Sequence, residues 1–159
     1  MKEFLLIAGL VAAPVGISFQ QYQAGVKVDP KDPRLLRIQQ FFAKYNCPLL
    51  ESAEDFLVAA DQNALDWRLL PSISMIESSG GKDYRNNNVF GWDSCRESFI
   101  SVRQGIHFVA AKLGKSELYK NKSLEAKLQT YNPNPEYPLK VKAVMRSLGP
   151  SDLSADGVN

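Results

Sequence analysis

Apolar residues recur at three- and four-residue spacing through most of this chain, a pattern that predicts helices rather than strands. Asp32 and Pro33 supply an N-cap and a first-turn proline, and Leu35, Ile38, Phe42 and Tyr45 follow at helical spacing until Pro48 breaks the run. Ser52 followed by Asp55 resembles a capping box for a second helix with Ala53, Phe56, Leu57, Ala60 and Ala64 on its apolar face. Asp66 caps a third, Trp67 to about Ser79, which Gly80-Gly81 ends with a left-handed stop. Residues 83–98 are rich in Asn, Asp and Ser and predict a long loop or a short hairpin. A fourth helix, Ser101 to Leu113, carries Val102, Ile106, Val109 and Leu113 on one stripe. A turn and a helix from Ser123 come next, and Pro135 opens a last helix with Val141, Val144 and Leu148 inward. The expected fold is mainly α: one compact helical domain over residues 33–148, with one irregular Asn-rich segment. Residues 149–159 carry few apolar side chains and predict a disordered tail.

The N-terminus has a different pattern. Met1-Lys2-Glu3 precedes an apolar run from Phe4 to Phe19, too short for a membrane span of roughly 20 residues and suited to a signal peptide. Gly16-Ile17-Ser18 offers small residues for cleavage, so residues 1–18 read as a signal peptide, or as an uncut membrane anchor, with a buried core helix as the plain alternative. Residues 19–32 read as a linker. Export places the protein in the periplasm, cell envelope or extracellular space. It also opens a pairing of Cys47 with Cys95, which would stabilise the fold by roughly 4 kcal/mol on the chain-entropy argument. Two separate buried thiols are the other reading, and both stand open.

Composition narrows the choice further. The 159 residues, 45% hydrophobic and 23% charged, suit one soluble globular domain, expected to be a monomer. A net charge of +2 with no Lys/Arg block gives no argument for nucleic acid, and is compatible with an anionic cell-wall polymer. His107, the single histidine, lies mid-helix as a boundary residue, and neither cysteine has metal-site neighbours. No metal and no cofactor are expected.

Candidate chemistry centres on the third helix, apolar on nearly every side through Trp67, Leu69, Leu70, Ile73, Met75 and Ile76. It ends on one carboxylate, Glu77, followed by the small residues Ser78, Ser79, Gly80 and Gly81, which leave space for a bulky polymer. The negative end of the helix dipole and apolar neighbours both disfavour ionisation, and no Lys or Arg lies one turn back. Both effects raise the carboxyl pKa, as a general acid requires. The plain alternative is a solvated Glu in a last helical turn. The segment NNNVFGWD follows: Asn86, Asn87 and Asn88 offer amides suited to hydroxyl and acetamido groups, Phe90 and Trp92 offer faces for sugar rings, and Gly91 permits close approach. An Asn-rich turn whose aromatics fill core is the competing reading.

The string MIESSGGKDYRNNNVFGW resembles the glutamate-plus-NNxFG signature of bacterial N-acetylglucosaminidases, peptidoglycan hydrolases of the lysozyme-like superfamily. FISVRQGIHFVAAKL resembles the amphipathic segment that follows in that family, and YNPNPEYPLKV its Y-A-T-D-P-x-Y segment. Tyr131-Asn132 is also similar to the Tyr-Asn pair of lytic transglycosylases. The resemblance spans about residues 60–148. It implies a lysozyme-like helical fold, peptidoglycan glycan strands as partner, Glu77 as catalytic acid, and Ser78, Asn88, Phe90, Gly91, Trp92, Tyr131 and Tyr137 around the substrate. The sequence departs from the family where Ser-Ser-Gly-Gly replaces the usual Ser-Gly-Trp-Gly after the acid, which moves an aromatic contact onto Trp92.

An inverting hydrolase would place a second carboxylate roughly 6.5–9.5 Å from the first. Asp93, beside FGW, is the first candidate, with Asp83 and Glu97 behind it. Assistance by the sugar's own acetamido group, or a transglycosylase route, needs none of them. A non-catalytic glycan-binding module and a membrane-tethered scaffold are the readings from other classes.

Overall fold

A computed structural model describes residues 27–153 of the chain. These hold six α-helices: α1 (Pro33–Lys44), α2 (Ala53–Gln62), α3 (Leu69–Ser78), α4 (Val102–Lys115), α5 (Leu124–Tyr131) and α6 (Tyr137–Leu148). Short 3-10 turns occupy Pro48–Ser52 and Trp92–Cys95, and no strand occurs among the described residues. The Asn-rich segment is therefore an irregular loop with one tight left-handed turn, not a hairpin. The signal or anchor segment 1–18, linker residues 19–26 and tail residues 154–159 lie outside the described residues. No described helix is long and apolar enough to cross a membrane.

Local chemistry sets several boundaries as expected. The Asp32 carboxylate accepts from the Arg34 backbone N–H at 2.8 Å with Pro33 opening α1. Ser101 and Ser123 cap α4 and α5 by accepting from the N–H groups of Gln104 and Ala126. Other boundaries differ. The 3-10 turn runs straight into α2, so Ser52 has near-helical backbone angles and its hydroxyl makes no cap bond. Asp66 does cap its turn, accepting from Arg68 N–H at 3.0 Å, but regular helix begins only at Leu69. The last helix starts at Tyr137, two residues after the proline expected to open it. Ala64 and Tyr45 fall beyond the ends of α2 and α1 and are exposed, so neither joins an apolar stripe.

The buried α3 lies against α6 and α2; α1 closes on α2 and α6, and α2 on α4. Fully buried Phe42, Phe56 and Phe90 form a ring series, with centroids 5.5 and 6.1 Å apart, that ties α1, α2 and the Asn-rich loop into one core. The stretch from Gly149 is not free at its start: Arg68 donates to the Gly149 carbonyl at 2.8 Å, and the Trp67 indole N–H donates to that of Ser151 at 3.2 Å. Val28 and Leu153 pack on the same core.

Of the two readings left open from the sequence, the structure has Cys47 and Cys95 as separate free thiols. Cys47 is buried beneath the end of α3, its Sγ 3.7 Å from the carbonyl oxygens of Tyr45 and Ser79. A Cβ on Gly80 would fall 2.3 Å from that sulfur, so the thiol fills the space that only glycine leaves. Cys95 sits on the Asn-rich loop, partly exposed.

Candidate active site

Glu77 occupies the last turn of α3, and its chain partners there make ionisation costly. Leu69, Leu70, Ile73 and Ser74 are buried, and Ser79 ends the helix in a left-handed conformation at φ 52°. The carboxyl is half-buried, and this desolvation raises its pKa above the ordinary carboxylate range. One interaction opposes the rise: the Tyr137 hydroxyl donates to Glu77 Oε1 at 2.7 Å. Burial wins, leaving a carboxyl held in place yet reluctant to lose its proton.

Tyr137 reaches Glu77 because of how the chain passes from α5 to α6. The Asn132 side chain accepts from the Asn134 N–H at 3.0 Å, and that of Asn134 from the Glu136 N–H at 2.9 Å. Two successive Asx turns, each containing a proline, make a stiff corner between Tyr131 and Tyr137. Their rings stack with centroids 5.8 Å apart and planes inclined by 9°. The Tyr131 hydroxyl donates to the Phe90 carbonyl, tying this corner to the Asn-rich loop. Burial pushes both phenols well up, so they remain neutral donors.

The loop contributes through Gly91. Its φ is +61°, and a Cβ there would lie 2.9 Å from Glu77 Oε2. Glycine thus meets two demands at once, a left-handed turn and contact with the carboxylate. Trp92 follows, with its ring 5.6 Å from Tyr131, 6.1 Å from Tyr119 and 6.3 Å from Phe108. Glu77, Gly91, Trp92, Tyr119, Tyr131 and Asn132 line a cleft of about 540 Å³, with Asp93, Ser94 and Pro133 at its edge. The cleft therefore carries one half-buried carboxyl, an aromatic wall and a few polar groups.

Five of the sequence-picked residues come together there: Glu77, Gly91, Trp92, Asp93 and Tyr131. Tyr137 stands behind Glu77 as its hydrogen-bond partner. Three others lie beneath the cleft instead of in it. Phe90 is fully buried against Phe56. The buried Ser78 hydroxyl donates to the Ser74 carbonyl and accepts from the Gly81 N–H. Asn88, also buried, donates to the carbonyls of Trp92 and Glu97 and accepts from the Trp92 N–H. Asn86 and Asn87 likewise donate to the loop's own carbonyls, at Cys95, Phe99 and Ile100. The asparagine run braces the loop, and none of its three side chains lines the cleft.

Asp93 is on the rim, with its side chain 47% exposed and its carboxylate 2.5 Å from Arg96 Nη2. Its backbone is left-handed, as are those of Ser94 and Cys95. Asp83 and Glu97 do not line the cleft. Tyr119 and Ser94 were not among the sequence candidates. Tyr119 falls in an aperiodic turn between α4 and α5, where no spacing or cap marks it. His107 is buried on α4, 3.8 Å from Asp55, away from the cleft lining. Among the described residues no group of three or more His, Cys, Asp or Glu is placed to hold a metal ion. Comparison with known protein families and with curated proteins finds no match.

Proposed function

We propose that this protein cleaves the β-1,4 glycan backbone of peptidoglycan as an N-acetylglucosaminidase-like hydrolase of lysozyme-like fold, exported, with Glu77 as general acid. The observation that carries the reading is a carboxyl with raised pKa, anchored by Tyr137 and opening into an aromatic-walled cleft. A glycosidic oxygen needs a proton as it leaves, and a desolvated carboxylic acid can hold one near neutral pH. The indole and phenol faces suit the apolar faces of pyranose rings, and the open cleft suits a polymer.

As the bond breaks, Glu77 protonates the leaving oxygen and becomes a carboxylate. The Tyr137 hydroxyl, already within hydrogen-bond distance, stabilises the charge that develops. Glu77 then takes a proton from the incoming nucleophile and regains its starting state. An attacking water gives a hydrolysed product. Attack by the sugar's own 6-hydroxyl gives a 1,6-anhydro end, the transglycosylase outcome. One observation speaks for this second route as the alternative: of the two carboxyls among the described residues that line the cleft, Asp93 is held by Arg96 at the exposed rim and Glu77 alone is half-buried. Glu77→Gln tests the reading, since it keeps the shape and removes the proton. Muralytic activity should disappear while the circular dichroism spectrum and a cooperative melting transition persist; activity near that of the native chain refutes it.

A further inference from the structure

We propose that Tyr119 forms an acetamido subsite in the cleft, its hydroxyl donating to the N-acetyl carbonyl while the Trp92 ring receives the methyl group. This rests on the glycan-cleaving reading and names the substituent that the cleft selects. Tyr119 is 5% exposed, yet it borders the cleft. Its hydroxyl makes no hydrogen bond to any described residue, unlike those of Tyr131 and Tyr137, which are engaged by Phe90 and Glu77. The hydroxyl is not one of the enclosed polar atoms of the core but opens on the cleft, so it is placed to donate to a ligand that supplies an acceptor.

The position of the phenol is fixed from behind. The Lys127 ammonium donates to the carbonyls of Leu113 and Tyr119 at 2.6 and 2.7 Å, which pins the turn to the end of α4. Lys122 donates to the Thr130 hydroxyl at 2.6 Å and also lies over the Tyr119 ring, 5.9 Å from its centroid. These anchors hold the ring 6.1 Å from that of Trp92. One donor beside one apolar face matches a group that has a carbonyl and a methyl on adjacent atoms. A sugar hydroxyl would use only the donor. Burial also pushes the Tyr119 phenol pKa up, so the group stays protonated through the physiological range.

The test uses the Glu77→Gln chain, which binds without turnover, and compares it with the double variant Glu77→Gln/Tyr119→Phe. Calorimetry measures binding of the N-acetylglucosamine tetrasaccharide and of its fully deacetylated counterpart. Phenylalanine keeps the ring, its contact with Trp92 and the cation above it, and removes only the donor. The expected result is about a tenfold loss of affinity for the acetylated tetrasaccharide, the scale of one neutral hydrogen bond in a desolvated site, with no change for the deacetylated one. Equal affinity of the two variants for the acetylated ligand overturns the subsite and leaves the glycan reading standing. An equal loss for both ligands also overturns it. Absence of binding by the Glu77→Gln chain to the tetrasaccharide and to sedimented peptidoglycan overturns both.

Discussion

Gly91→Ala separates what the cleft needs for activity from what the fold needs for stability. The backbone at Gly91 has φ +61° and ψ 17°, where an alanine costs roughly 1–2 kcal/mol. The new Cβ would stand 2.9 Å from Glu77 Oε2, and its next neighbours, Glu77 Cδ and Cβ, at 3.7 and 3.9 Å. Only the tip of a side chain must move, so the steric part is relieved by displacing the carboxylate rather than by opening the core. The total stability loss should stay near the backbone cost, about 1–2 kcal/mol, or a fall in Tm of roughly 3–10 °C for a domain of this size. Activity has no such relief. A catalytic carboxyl displaced by about 1 Å costs on the order of a hundredfold in rate, and its bond to Tyr137 is disturbed as well. Differential scanning calorimetry and release of soluble glycan from purified cell walls read the two effects separately. Gly149→Ala is the control for activity: it also strains the backbone, at φ 127° and ψ −171°, but its Cβ meets nothing closer than 3.8 Å and lies away from Glu77. If Gly91→Ala retains native activity at its own folding temperature, the contact between the loop and Glu77 has no catalytic consequence and the reasoning fails.

Tyr137→Phe removes the hydrogen bond that lowers the Glu77 pKa while leaving the burial that raises it, so the alkaline limb of the pH–activity profile should move to higher pH; an unmoved limb means that Glu77 does not set it. Glu77→Gln should raise Tm at neutral pH. The folded carboxyl titrates above its ordinary value, so its ionisation costs stability as pH rises through the folded pKa, and the gain should shrink towards zero below about the ordinary carboxylate value. A gain that persists unchanged in acid contradicts the sign. Cys95 should react with a thiol reagent in the native state and Cys47 only after unfolding, and a reductant should leave Tm unchanged; a reductant-sensitive Tm would show that the two sulfurs pair.

Sequence reading succeeded where the determinant is local. The Asp32-Pro33, Ser101 and Ser123 starts each depend on one or two neighbouring residues, and the structure places them as the pattern predicts; the left-handed stop of α3 falls one residue early, on Ser79, with Gly80 and Gly81 continuing the positive-φ turn. Ser52 misled because a 3-10 turn from Pro48 supplies the backbone path that a side-chain cap would otherwise start. The Glu77 environment was legible for the same local reason: helix end and apolar neighbours lie within the segment itself. Burial inside FGW was not. Phe90 and Trp92 are two residues apart and chemically alike, and only the packing of Phe90 on Phe56 decides which one faces the cleft. The asparagines show the same limit, because their amides serve carbonyls up to 13 residues away that become neighbours only once the loop folds. Tyr119 depends on Lys127, a contact across a turn without periodicity.

The most direct test of the central claim is the mass spectrum of fragments that the native chain and its Glu77→Gln variant release from purified peptidoglycan. The account predicts soluble fragments with reducing N-acetylglucosamine ends from the native chain and none from the variant. Release of no glycan fragments by the native chain, or equal release by the variant, contradicts it, and 1,6-anhydro ends in place of reducing ends replace hydrolysis by the transglycosylase route.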